Sequence, residues 1–203
     1  MVTEDEAFRV EALRLRSEVA IRRGALADAV AQARRAIEAD AENGRAHEQL
    51  GRALLVQGDW QGALAPMIEA LHTGQAGSLA AGVAALGALE TGDLATARGL
   101  FLVERYGDGL ACAVSHTAQA WLLQAEGETA QAAERAASAV EELRELPPWA
   151  AQPEVLARLS AALRTVLRVG VDGEDEALRT EAQRQLDRVG DLLGGDAPPT
   201  PAL

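Results

Sequence analysis

Apolar residues along this chain recur at helical spacing. Near the C-terminal end Leu178, Ala182, Leu186, Val189 and Leu193 fall on one stripe of a helix, the arrangement that buries one face and wets the other. The opening stretch, MVTEDEAFRVEALRLR, starts acidic and becomes amphipathic. Between the two ends the apolar positions are mostly Ala and Leu. Both have high helix propensity, and Ala lets helix backbones approach closely. Of the strand formers, Ile, Tyr, Phe and Trp are scarce, so the pattern predicts helices and no sheet.

The turn signals divide this helical pattern at a fixed period. Gly24, Gly58, Gly92 and Gly127 each close one helical segment and open the next, at intervals of about 34 residues. Five residues after each comes an alanine: Ala29, Ala63, Ala97 and Ala132. Seven before each sits a small residue: Ser17, Gly51, Ala85 and Ala120. A glycine can take the left-handed conformation that ends a helix, and small residues halfway along each helix let the two axes lie close. The unit is therefore a helical hairpin. Such a hairpin cannot bury its apolar face alone, so successive hairpins stack.

The second unit, GRAHEQLGRALLVQGDWQGALAPMIEALHTGQAG (residues 44–77), resembles the tetratricopeptide repeat through Leu50, Gly51, Gly58, Asp59, Trp60, Ala63, Met67, Ala70 and Leu71. Residues 10–43 follow it through Ser17, Gly24, Ala29, Ala36 and Ile37. Residues 78–111 follow through Ala85, Gly92, Asp93, Ala97 and Phe101, decaying around Glu104. Residues 113–146 follow through Ala120, Gly127, Glu128, Ala132 and Ala139. Two features of the family are missing. Ala41, Gln75, Gly109 and Arg144 stand where a proline often separates repeats, and Leu13, His47, Ala81 and His116 replace the aromatic near each repeat's start. The resemblance implies an all-α fold, an α-solenoid of antiparallel hairpins in a right-handed superhelix of about ten helices, spanning residues 1–194.

After the fourth unit, LPPWAAQP (146–153) carries three prolines that interrupt the helical hydrogen-bond ladder. Two further helices are expected at about 154–169 and 174–193, split by GVDGED and placed to cap the stack. The end, residues 195–203, reads as a disordered tail.

The resemblance also implies a groove lined by the first helix of each repeat. The first repeat would supply Glu11, Arg14, Glu18, Ile21 and Arg22, and the second Arg45, Glu48, Arg52, Leu55 and Val56. The third would add Leu79, Gly82, Val83, Leu86 and Leu89, and the fourth Val114, Thr117, Trp121 and Gln124. The groove would run from charged at its N-terminal end to apolar beyond. An apolar strip of that kind meets something: a partner's helix or peptide, a second subunit, or the chain's own residues 154–193. The Lys and Asn clamp with which some members of the family grip a terminal carboxylate is not supported, since Arg14, Glu18 and Glu48 fall among those places.

Charge narrows the partners. The 203 residues carry a formal net charge of −12, and all 19 cations are Arg. Nucleic acid and anionic membrane surfaces are disfavoured by repulsion. No apolar run is long enough to span a bilayer, and the N-terminus lacks the form of a signal peptide. The absence of Lys and the single Asn43 suggest the codon bias of a GC-rich bacterial genome, and the cytoplasm is the expected compartment.

Candidate chemistry is thin. Cys112, the one cysteine, and His116 would share a helix face, but a nucleophile needs a lowered thiol pKa and an orienting third group. Neither is identifiable. His47, His72 and His116 form no metal-ligand spacing beyond that pair, and the clusters Glu4-Asp5-Glu6, Glu141-Glu142 and Asp172 to Glu176 lack the ligand pattern of a calcium loop. A P-loop is excluded because there is no Lys to complete it. The expectation is an adaptor or chaperone-like scaffold, without catalytic, metal or cofactor site, that holds another protein or peptide. A self-associating dimer, and a ligand sensor or enzyme built on a solenoid, stand as alternatives.

Overall fold

The computed structural model describes residues 4–101, 107–147, 149–150, 153–173 and 175–192. Among the described residues there are ten helices and no strand. They form five hairpins: α1 (Glu4–Arg22) with α2 (Leu26–Ala39), α3 (Gly44–Val56) with α4 (Trp60–His72), α5 (Ser78–Glu90) with α6 (Leu94–Leu100), α7 (Gly109–Ala125) with α8 (Thr129–Glu145), and α9 (Pro153–Asp172) with α10 (Glu176–Leu192).

Each of the first four hairpins turns at the glycine that the sequence marks. Gly24, Gly58, Gly92 and Gly127 have φ of 72, 88, 78 and 84°. At Gly58 the amide donates to the Leu55 carbonyl at 2.9 Å, and Asp59 donates to Leu54 at 2.9 Å, the bond pair that closes a helix around a left-handed residue. Asp59 then starts the next helix, its carboxylate accepting from the Gly62 amide at 2.8 Å. Asp93 does the same for Thr96 at 3.0 Å. One glycine and one aspartate thus end one helix and begin the next within two residues, which is why these hairpins are so tight.

The small residues lie at the crossings. Ala29, Ala63, Ala97 and Ala132 are fully buried, as are Ser17, Ala85 and Ala120. Gly51 sits against Met67 of α4, so close that a Cβ there would stand 2.6 Å from Met67 Cε. A continuous core of mainly Ala, Leu and Val runs from Ala20 to Val189.

The third, fourth and fifth hairpins depart from the expected boundaries. Helix α6 has only seven residues, and residues 102–106, where the repeat pattern decays at Glu104, lie outside the described residues. Helix α7 begins at Gly109, earlier than the expected 113, because the Asp108 carboxylate accepts from the Ala111 amide at 3.2 Å and caps it. With so short a second helix, α5 packs more extensively on α7 than on α6. Gly82 permits this: a Cβ there would lie 2.9 Å from the Ser115 amide nitrogen. Helix α9 continues past residue 169 to Asp172. Gly170 does not break it, being instead buried at the point where α10 brings Ala182 close. Pro148, Leu193 and the expected tail at 195–203 lie outside the described residues.

Candidate partner-binding site

The first helices α1, α3, α5 and α7 line the inner side of the stack, and twelve of the expected groove residues divide there into two groups. Arg14, Glu18, Glu48 and Arg52 line an open hollow of about 700 Å³ together with Arg45 and the turn Gly74–Gly77. Each of the four already has an internal partner. Arg14 binds Glu11 with two contacts of 2.6 and 2.9 Å, and Arg22 donates to Glu18 at 3.1 Å. The Glu48 carboxylate accepts from the amides of Gly77 at 2.9 Å and Ala80 at 3.4 Å. It caps α5, whose own cap position is Gly77 and brings no side chain. Arg52 pairs with Asp108 at 2.5 Å, tying α3 to the start of α7.

The second group lies inside the molecule. Leu55, Val83 and Thr117 are fully buried, Val56 and Leu86 are 2% exposed and Leu89 6%. The Thr117 hydroxyl donates to the Ala113 carbonyl at 2.7 Å and is satisfied within its own helix. Trp121 and Gln124 are half-buried, with Trp121 against the core. The expected apolar strip is therefore interior rather than open. Helix α9 reaches its edge: Glu154 lies beside Gly58, and Arg158 binds Glu90 and sits over the Trp60 ring. The segment after α8 stands near another part. Leu146, Pro147, Trp149 and Ala150 line a hollow of about 300 Å³ together with Ile21, Val56 and Leu110, and the Arg22 guanidinium lies 5.2 Å from the centroid of Trp149. Of the occupants left open by the sequence, the chain's own C-terminal part stands at the edges of the strip.

Three of these features escape a reading of the repeats alone. Gly74, at φ 72°, turns the chain between the second and third hairpins. Gly77 signals a helix start that needs an acceptor from elsewhere, and Glu48 is that acceptor. The pairing of Arg52 with Asp108 has no local signal, since 56 residues separate them.

Cys112 and His116 do not form an activated pair. Burial, with Glu142 and Asp108 nearby, raises the thiol pKa, which opposes the thiolate a nucleophile requires. The Cys112 thiol donates to the Gly107 carbonyl at 3.7 Å. Burial, with Arg135 adding to it, lowers the His116 pKa, and its Nδ1 is buried without a partner. Among the described residues no group of His, Cys, Asp and Glu could hold a metal ion, and no helix is long and apolar enough to cross a membrane.

Five stacked hairpins, turned by left-handed glycines and crossing at small residues, define a tetratricopeptide-like α-solenoid. No family model matches the sequence, and no curated protein matches it. Solved structures do match. A chain of the APC/C hetero-tetramer Cut9-Hcn1 is similar with a TM-score of 0.58 and 12% identity, over 95% of this chain and 35% of that one. This chain spans about 35% of the length of that match, and the likeness is one of fold. YrrB, described as a TPR protein with an unusual peptide-binding site, is similar with a TM-score of 0.45 and 17% identity over 88% of this chain and 83% of its own.

Proposed function

We propose that this chain is a non-catalytic interaction module, working in a bacterial cytoplasm, that holds a segment of another protein in the polar hollow between α1, α3 and α5. The observation that carries the reading is where the fold leaves room. All residues lining the hollow lie between Arg14 and Ala111, so the C-terminal segments take no part in it. Its volume of about 700 Å³ suits a few residues of an extended peptide. Arg14 and Arg45 offer donors on a chain that is otherwise strongly acidic, and guanidinium groups favour carboxylate-bearing segments. Glu18 on the same wall would set the orientation of the segment. This is a charge-led grip, in place of the apolar one expected from the repeat pattern.

The test separates grip from scaffold. A photoreactive residue at Ala76 in the full chain should capture a specific protein from source cells, and the same residue at Asp28 on α2 should not. Arg14→Ala combined with Arg45→Ala should abolish capture while changing the melting temperature little, because Arg45 is exposed and the Arg14 ion pair lies within its own helix, with Glu11 about half exposed. Capture that survives the double substitution would place the partner elsewhere.

A further inference from the structure

Helix α1 is apolar on two opposite faces. Val10, Leu13, Ser17, Ala20 and Ile21 are buried against the rest of the stack. On the other side Phe8 is 77% exposed, Leu15 50% and Val19 45%, which is half of the six large hydrophobic side chains exposed among the described residues. With Ala12 they recur at intervals of four and three, the seam of a coiled coil: Phe8 and Leu15 at d, Ala12 and Val19 at a. The flanks of that seam are uniform in charge. The e positions are Arg9, Arg16 and Arg23, all exposed, and the g positions within the seam are Glu11 and Glu18.

We infer that this face of α1 docks on the same face of a second copy of the chain, with the two helices parallel. Charge decides both the occupant and the direction. Around a two-fold axis parallel to the helix, the glutamate flank of each copy meets the arginine flank of the other, so Glu11 faces the partner copy's Arg16 and Glu18 its Arg23. In the antiparallel arrangement arginine would face arginine and glutamate would face glutamate, which is repulsive. In the single chain Glu11 and Glu18 are bound to Arg14 and Arg22 of their own helix. Exchanging one exposed ion pair for another changes little free energy. The apolar seam therefore supplies the attraction, and the charges select partner and orientation. The seam from Phe8 to Val19 is only about 16 Å long at 1.5 Å per residue, so the dimer is weak and concentration-dependent.

Sedimentation equilibrium of the full chain, from low micromolar to near-millimolar, should show the mass rising toward twice that of a single chain. Arg9→Glu/Arg16→Glu/Arg23→Glu and Glu11→Arg/Glu18→Arg should each be monomeric over this range, with unchanged helical circular dichroism. An equimolar mixture of the two should recover the dimer, since each then supplies the flank the other lacks. Leu15→Glu, on the exposed seam, should weaken association at least tenfold without touching the core. In a Cys112→Ser background, Ala12→Cys and Val19→Cys should each form a disulfide with its own copy, as only a parallel pair brings both positions to their counterparts. A chain monomeric at every concentration overturns the inference. So does an assembly indifferent to these substitutions, or a disulfide that forms only when the two cysteine variants are mixed.

Discussion

Arg158 of α9 lies over the indole of Trp60 of α4, its guanidinium carbon 4.7 Å from the ring centroid, and the same side chain binds Glu90 at the end of α5. One arginine thus fastens the fifth hairpin to the second and third across the inner side of the solenoid. The indole face holds the cation and Glu90 compensates its charge. Arg158→Ala should lower stability by about 1–2 kcal/mol, combining a partly desolvated cation–π contact with a partly exposed ion pair. Arg158→Lys should recover only part of the loss, because a lysine keeps the charge but not the planar stacking. Urea denaturation of the three proteins checks this, and equal stability in all would mean that α9 is held by its apolar face alone.

The turn glycines allow a measurement of backbone strain by itself. At Gly92, with φ of 78°, an added Cβ would meet nothing within 4 Å. Gly92→Ala should therefore cost roughly 1–2 kcal/mol from the left-handed conformation alone. A variant as stable as the parent would indicate that the turn relaxes to negative φ, and a structure of it would reveal the change.

Overpacking tests the repeat register. Ala63 and Ala97 are fully buried at equivalent places in the second and third hairpins. Replacing either by Leu adds volume at a crossing that has none to spare and should cost about 1–3 kcal/mol. The Ala97 variant should be the milder of the two, since α6 is one short helix of seven residues and can shift. Thermal melts that leave both variants at the parent value would contradict the crossings.

His116 gives the fold an acid-sensitive point. Burial lowers its folded pKa below the ordinary 6.5, Arg135 adding to the effect and Glu142 opposing it. Above that ordinary value the ring is neutral in both states and contributes no pH dependence. As the pH falls through it, the unfolded chain takes up the proton first, so stability drops until the pH passes the lower folded value. His116→Gln should remove this component. Denaturation at about pH 7.5 and about pH 5.5 should then show a smaller acid loss in the variant than in the parent, the carboxylates contributing alike to both. An identical loss would mean that His116 protonates equally in the two states.

What the sequence determined by itself was everything that depends on neighbours in the chain. Gly24, Gly58, Gly92 and Gly127 marked the turns because only glycine takes the left-handed conformation without penalty. Ala29, Ala63, Ala97 and Ala132 marked the crossings because two helices can touch there only over a small side chain. Tertiary structure decided what covers the apolar residues. Leu55, Val83, Leu86 and Leu89 look like a binding strip in a repeat-by-repeat reading, yet they are interior. Apolar burial is non-directional, so these side chains carry no mark of whether a foreign segment or the chain's own helix removes them from water. Charged residues were equally ambiguous. Glu48 and Arg52 belong to the inner wall by register, but Glu48 is spent on the start of α5 and Arg52 on Asp108. Contacts made so far along the chain follow from how the hairpins stack and from the short α6, which no local pattern encodes.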